Sequence, residues 1–410
     1  MALSDSFLQE LKMKTDIEDV ISTYVTLKRR GATLVGLCPF HNEKTPSFTV
    51  YPATQSFYCF GCGAGGDAIT FLKKIENLDY LDAVKALAQR AGLQMPQEGF
   101  DDSLSKRRRR ILEMNREAAR FYHSVLLSPE GKVGYDYYIG RALSAATINH
   151  FGLGFAPNRW DALLKHMRAK GYQPAELVDA GLARKGQKGY YDNFRNRVMT
   201  PIIDVRGNVI AFGGRVLDDS KPKYINTGDT LVYKKTNELF ALNFAKDSKE
   251  DALILCEGYM DVIALHQAGF DNAVASLGTA LTSGHANLLK RYTKNVYLTY
   301  DSDGAGVKAA LRAIPILKEV GITTKVINMK PYKDPDEFIK ALGAEEYQKR
   351  IDTAENSFMF EIRILEQQYD MHDPESKTKF YNAVAEKLCT FGEKLERDNY
   401  IAAVADKYMI

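Results

Sequence analysis

The chain has 410 residues, 45% of them hydrophobic, with a net charge of +3 and five cysteines. That length exceeds one ordinary core, so two or three domains are expected, and the apolar content excludes overall disorder. The small net charge leaves any polyanion binding to local basic patches, and the few cysteines exclude a disulfide framework.

Residues 1–94 read as a small module of two amphipathic helices, a Cys/His ribbon and two more helices. Asp5 and Asp16 are expected N-caps, ahead of Phe7, Leu8 and Leu11 and of Ile17, Val20, Ile21 and Tyr24 at helical spacing. The ribbon carries Cys38-Pro-Phe-His41 and, after 17 intervening residues, Cys59-Phe-Gly-Cys62. Two strands are expected between Thr45 and Cys62, turning at Pro52–Gln55 and ending at Gly65-Gly66. Asp67 and Asp79 then open the last two helices. Paired ligands two residues apart let each half of a site close on one ion from a tight turn. Three thiolates and one imidazole (Cys38, His41, Cys59, Cys62) fill a tetrahedron and leave no open position, so one structural Zn²⁺ is expected. Phe48, Phe57, Tyr58 and Phe60 either pack around that ion or stack on unpaired bases, and Lys28, Arg29, Arg30 and Lys44 are candidates for phosphate contact.

Residues 95–105 have linker character. The run Lys106-Arg107-Arg108-Arg109-Arg110 opens a helix to about Leu127, as a solvated start or as a nucleic-acid contact. Short strands and many glycines follow to residue 245. From 246 to 345 the order becomes a regular β-α-β-α, with strands at Ala252–Leu255, Ala273–Ser276, Asn295–Tyr300 and Thr323–Asn328, which implies a mainly parallel sheet. Residues 355–410 carry only helical patterns and are expected to form a small bundle. The expected fold is thus α+β and multidomain. No apolar leader or membrane-length apolar run is present, so a cytoplasmic location is expected.

Acidic motifs follow three of those strands. They are Glu257-Gly-Tyr-Met-Asp261, Asp301-Ser-Asp303-Gly-Ala-Gly306 and Asp334-Pro-Asp336. Ligand sites in open parallel sheets form at the carboxyl ends of the strands. Several carboxylates there repel one another unless divalent cations intervene, so Mg²⁺ or Mn²⁺ is expected at Glu257, Asp301 and Asp303, with Asp261 in reach one helical turn on. Two such ions, about 3.5–4 Å apart, activate an attacking hydroxyl and stabilise a leaving pyrophosphate.

These motifs resemble the signatures of a Toprim domain. The Cys/His ribbon, with Cys38-Pro-Phe-His41-Asn-Glu-Lys-Thr-Pro-Ser-Phe48, is similar to the zinc module of bacterial primases. Between them Asn193-Phe-Arg195-Asn-Arg197, Phe212-Gly-Gly-Arg215 and Pro222-Lys223-Tyr-Ile-Asn226 resemble the basic motifs of the primase core, in the order of the DnaG-type family. The resemblance implies an N-terminal zinc ribbon domain (1–94), a linker (95–105), a mixed α/β basic subdomain (106–245), a Toprim catalytic domain (246–345) and a C-terminal helical subdomain (346–410). It implies a nucleotidyltransferase, a DNA-dependent RNA polymerase making short RNA primers on single-stranded DNA. Glu257, Asp301 and Asp303 would hold catalytic metal, with Asp261, Asp334 and Asp336 completing the acidic site. Arg195, Arg197, Arg215, Lys223 and Lys234, and with them Arg141, would line the groove for template, RNA–DNA hybrid and ribonucleoside triphosphates. A replicative helicase is an implied partner through a C-terminal domain not evident before Ile410. The competing readings are another Toprim enzyme, a type IA topoisomerase or nuclease, and a non-enzymatic single-strand binder. The lack of G-x-x-x-x-G-K-[ST] excludes a fused helicase.

Overall fold

The computed structural model describes residues 5–41, 43–76, 78, 80–95 and 102–409. Most of the expected linker at 95–105, Asp79 and the side chain of Asp5 lie outside the described residues.

The N-terminal module runs α1 (Asp5–Lys14), α2 (Ile17–Ser22), β1 (Lys28–Arg30), β2 (Thr33–Gly36), β3 (Phe48–Tyr51), β4 (Ser56–Cys59), β5 (Gly65–Gly66), α3 (Ala68–Ile75) and α4 (Tyr80–Arg90). Asp16 caps α2 by accepting the Glu18 N–H at 2.7 Å, and Asp67 caps α3 through the Thr70 N–H at 2.9 Å. The strands form one antiparallel sheet in sequence order. The expected two-strand ribbon is therefore enlarged: β1 and β2 add a hairpin, and Gly65-Gly66 pairs with Phe57-Tyr58 as an edge instead of ending the sheet. Phe48 and Phe57 stack at 5.2 Å in the module core, with Phe71 edge-on to Phe57 at 5.5 Å.

Helix α5 (Asp102–Leu126) buries Ile111, Met114, Ala118 and Tyr122, a stripe at helical spacing. Part of its basic start is spent locally. Arg107 pairs with Asp179 and Arg110 with Glu176, each at 3.0 Å, and Arg110 lies over the Tyr172 ring.

The middle of the chain follows as α6 (Lys132–Gly140), α7 (Ala145–His150), β6 (Gly154–Ala156), α8 (Ala162–Ala169), α9 (Pro174–Asp179), β7 (Ala183–Gly186), β8 (Gly189–Asp192), β9 (Arg197–Ile203), β10 (Val209–Val216), β11 (Tyr224–Asn226) and α10 (Leu242–Ala245). An antiparallel sheet of order β11-β10-β9-β6 is its frame, with β7–β8 a separate hairpin.

The next region alternates as the apolar runs require: β12 (Ala252–Cys256), α11 (Tyr259–Gln267), β13 (Ala273–Ala275), α12 (Ser283–Leu289), β14 (Asn295–Thr299), α13 (Gly304–Glu319), β15 (Thr323–Val326) and α14 (Pro335–Asp352). The sheet order is β13-β12-β14-β15, all parallel, closed by an antiparallel β16 (Glu355–Asn356). Phe155, Ile202, Ile254 and Val262 belong to one buried cluster, so the core is continuous from the antiparallel sheet into the parallel one. Helices α15 (Ser357–Glu366), α16 (Pro374–Cys389) and α17 (Lys394–Tyr408) follow, around Phe358, Ile362, Phe380 and Val404.

Candidate active site and zinc centre

The zinc ligands arrive from two turns of the ribbon. Cys59 ends β4, Cys62 lies in the turn after it, and Cys38 and His41 lie in the loop between β2 and β3. One donor atom from each of the four falls within 4.8 Å of all the others. The Cys38 and Cys62 sulfurs stand 3.8 Å apart, and Cys59 Sγ is 3.7 Å from His41 Nδ1. Zn–S bonds of about 2.3 Å in a tetrahedron separate two sulfurs by about 3.8 Å, so the four donors fit one Zn²⁺.

Two residues not singled out in the sequence hold this cluster. Glu43 accepts the Cys38 N–H at 2.7 Å and the Ser47 N–H at 3.0 Å, and its Oε2 lies 3.3 Å from His41 Nε2. Burial pushes this carboxyl up, but the bonds from Ser47 and Cys38 hold it below its ordinary value. An anion on Nε2 leaves Nδ1 for the metal. Ser47 Oγ in turn sits 3.2 Å from the Cys59 sulfur. The signal available was an acid two residues after the ligand His41. The aromatics divide: Phe48 and Phe57 are core, whereas Tyr58 and Phe60 are exposed and meet edge to face at 5.1 Å.

The acidic motifs gather at the carboxyl edge of the parallel sheet. Glu257 follows β12, and its Oε1 accepts the Asp301 N–H at 3.2 Å. Asp303 caps α13, with Oδ1 accepting the Ala305 and Gly306 N–H groups at 2.9 Å each, which leaves Oδ2 for another partner. A Cβ at Gly306 would fall 2.0 Å from the Asp301 carbonyl oxygen, so only glycine lets α13 start this close. Asp334 caps α14, and the Ser302 N–H donates to the Lys333 carbonyl at 2.7 Å, tying the second motif to the third. Asp261 reaches back to the Gly258 N–H at 3.2 Å from the first turn of α11.

The electrostatics favour a cation here. Burial, then the Asp301 charge, raises Glu257, and burial raises Asp301 against the pull of Lys333, 3.4 Å away. Burial and the charges of Asp334, Asp301 and Asp336 push Asp261 up to about 8. Asp303 is held low by the N–H groups of Gly306 and Ala305. Among the described residues the carboxylates do not converge as the Cys/His donors do. Mutual repulsion accounts for that spread, and a hard oxygen donor set suits Mg²⁺ or Mn²⁺. The buried Asp336 Oδ1, which has no hydrogen-bond partner, is a further oxygen left unsatisfied.

The basic residues separate into two groups. Arg195 lies over the rings of Trp160 at 4.2 Å and Tyr191 at 5.2 Å, and Arg215 over Tyr137 at 4.8 Å. Lys223 and Lys234 are exposed. Arg197 and Arg141 depart from the groove-lining expectation. Arg197 is 6% exposed and donates to the carbonyls of Gly214, Lys223 and Pro222, so it braces the strands. Arg141 is paired to Asp336 at 2.5 Å. Trp160, 66% exposed beneath Arg195, escaped the sequence reading because nothing local marks a lone tryptophan as a partner of a residue 35 positions on.

The two sheets are registered by small residues. Tyr259 donates to Asn226 Oδ1 at 2.7 Å, and Asn226 donates to the Leu277 carbonyl at 3.0 Å. A Cβ at Gly213 would fall 2.6 Å from the Tyr259 ring, so the Gly-Gly of β10 permits this packing. Arg215 is thereby carried on the strand that abuts the helix following Glu257.

Three family models match the chain. They are the CHC2 zinc finger over residues 3–103, the DNA primase catalytic core N-terminal domain over 121–246, and a Toprim-like domain over 254–339. The DNA primase of Clostridium acetobutylicum is 42% identical over 411 aligned positions, covering 99% of this chain and 68% of that protein. The crystal structure of the Aquifex aeolicus primase zinc-binding and RNA polymerase domains matches with a TM-score of 0.63 at 36% identity, covering 98% of this chain and 97% of that one. A DnaG primase catalytic domain bound to single-stranded DNA matches with a TM-score of 0.64 at 32% identity, covering 74% of this chain and 99% of that one.

Proposed function

This chain belongs to the DnaG-type DNA primases, and from that premise we propose that it extends short RNA primers on single-stranded DNA by divalent-metal nucleotidyl transfer at the Glu257–Asp301–Asp303 edge. The observation that carries the reading is the meeting of acidic strand ends with a cation-bearing sheet through the Asn226–Tyr259 contact. In the proposed reaction the primer 3′-oxygen forms a bond to the α-phosphorus of the incoming ribonucleotide, and the bond to the β-phosphate breaks, releasing pyrophosphate. Mg²⁺ or Mn²⁺, when bound, supplies the positive charge that favours the attacking alkoxide and the leaving pyrophosphate.

The chain's own groups do the positioning. Glu257 is oriented by the Asp301 N–H, and Asp303 by the first turn of α13, so both carboxylates present a free oxygen with little reorganisation. Lys333 neutralises part of the carboxylate charge beside Asp301. Arg195, Arg215, Lys223 and Lys234 fix phosphates of template, hybrid and nucleotide without reading sequence. The zinc module stiffens the surface that bears Tyr58 and Phe60, on which unpaired bases stack. The setting would be the bacterial cytosol, and no described helix is long and apolar enough to cross a membrane. Contact with a replicative helicase rests on family likeness alone.

The test is incorporation of labelled ribonucleotides on single-stranded DNA with Mg²⁺ or Mn²⁺, beside the Asp303→Ala variant with its zinc content verified. Metal-dependent short RNA from the wild type alone is expected. Undiminished synthesis by Asp303→Ala would remove the acidic edge from the chemistry.

A further inference from the structure

The zinc module and the Toprim domain face each other across a cleft of about 870 Å³. One wall is the end of α3 and the turn at Cys62-Gly63, and the other is the face of α12 and the residues just after it. Lys73 and Lys74 enter from the module, Lys290 and Arg291 from the Toprim side, and among the described residues no carboxylate lines the cleft. Lys73 also lies over the Tyr80 ring at 5.9 Å, but none of the four has an ion-pair partner among the described residues. Elsewhere the protein neutralises its cations readily, as at Arg107, Arg110 and Lys170. The zinc centre, which reaches the cleft at Cys62 and acts on Lys290 through Cys38, offsets only part of these four charges, and like charges facing one another from two domains repel unless a further anion lies between them.

Two neighbouring features point to a nucleic-acid strand as that anion. The exposed Tyr58–Phe60 pair is carried by β4 and the turn that contributes Cys62 and Gly63, so flat stacking surfaces adjoin the cations. Successive bases stacked on aromatics beside a positive groove are the usual mode of single-strand binding. The cleft also lies near the acidic edge. Ser276 and residues 278–281, just before α12, line a separate pocket of about 320 Å³ that includes Glu257. Helix α12 has seven residues, a span of about 10 Å, so the route from that pocket to the cations is short.

We propose that this cleft holds the phosphate backbone of the single-stranded template as it runs between the Toprim domain and the zinc module, so that both domains grip one strand. The proposal rests on the template-directed reading above. It gives the zinc module a task in holding the strand that needs Toprim cations as well as its own.

The experiment is fluorescence anisotropy of the zinc-loaded full chain with labelled oligothymidylates of about 6 and about 20 nucleotides, below and above the span of one groove. Salt is varied between about 50 and 200 mM. Removing three cations together (Lys73→Ala, Lys74→Ala, Arg291→Ala) should weaken the long oligonucleotide about tenfold and lower its salt slope by about 2, at about 0.7 per lost phosphate contact. The short oligonucleotide, held by the groove of Arg195 and Arg215, should bind as before, which also verifies folding. Asn287→Lys, which adds a cation to the same wall, should steepen the slope for the long oligonucleotide. An unchanged long-oligonucleotide affinity and slope would overturn the cleft assignment, as would an equal loss at both lengths. Polyglutamate of matching charge competing as well as the long strand would overturn the choice of nucleic acid. Failure of the wild type to bind either oligonucleotide is a separate outcome, and it would refute the template reading itself.

Discussion

Arg141 and Asp336, 195 positions apart, form an ion pair at 2.5 Å that joins the end of α6 to the first turn of α14. Lys340 adds a second bond to the same carboxylate oxygen at 2.7 Å, and the Asp336 side chain is only 6% exposed. Asp336 is thus an anchor that fixes the basic subdomain against the acidic edge, and the Arg141 charge is largely committed there. Removing one partner of a buried pair strands the other charge. Because Arg141 is about one-third exposed and Lys340 remains, Arg141→Ala should cost about 2–3 kcal/mol. Urea unfolding measures this. A full-stability variant with weakened DNA binding would return Arg141 to the phosphate-binding set.

The zinc centre should be sensitive to residues that never touch the ion. A Cβ at Gly61 would fall 2.5 Å from His41 Nε2 and 2.9 Å from Ser47 Oγ, so Gly61→Ala has to displace the imidazole or the serine that supports Cys59. Glu43→Ala removes the acceptor for Cys38 and Ser47 and the anion beside His41. Each substitution should lower zinc affinity by about 10–100-fold. Competition with a colorimetric chelator reads this directly, and wild-type retention in both variants would show that the four ligands suffice.

The Toprim strands β12 and β14 were legible because each is a short apolar run followed by an acid and a glycine, a pattern that both fixes the element and marks its end. The zinc ligands were legible from spacing alone. What was not legible depends on contacts between distant segments. The β1–β2 hairpin has an exposed Lys-Arg-Arg strand with no apolar alternation, and only pairing with β2 makes it a strand. Arg197 lies in a basic motif but is buried, because the carbonyls of Pro222 and Lys223 are brought over it by β11. Phe48, Phe57, Tyr58 and Phe60 look alike in sequence, and only the alternation of faces on β3 and β4 sorts core from surface.

Trp160 is the only tryptophan in the chain, so its emission reports on one place. It is two-thirds exposed, with the Arg195 guanidinium 4.2 Å from its ring and Tyr191 edge-on at 5.6 Å. A strand entering this groove meets the indole and the guanidinium together. Oligonucleotide titration should therefore quench the emission in a saturable, salt-dependent way. Trp160→Ala should weaken binding by about 1–3 kcal/mol if a base stacks there. Quenching absent under conditions where anisotropy reports binding would place the strand elsewhere.

The acidic edge should couple metal, protons and stability. Asp261 is pushed up to about 8 and Glu257 is also raised, so both hold protons that ordinary carboxylates have lost. A raised folded-state pKa contributes stability that is fully present below the unfolded value, about 3.9 for Asp, and is lost as pH rises through the folded value. The protein without divalent metal at this edge should therefore lose stability between about pH 4 and 8, the span between the ordinary value and that of Asp261. Mg²⁺ favours the ionised carboxylates, so its binding should release protons, tighten with pH and flatten that decline. Thermal melts at pH 6 and pH 8, with and without added Mg²⁺, check this, using metal-stripped buffer in place of a chelator so that zinc stays bound. A Mg²⁺ stabilisation that is equal at both pH values would mean that the ion binds away from Glu257 and Asp261.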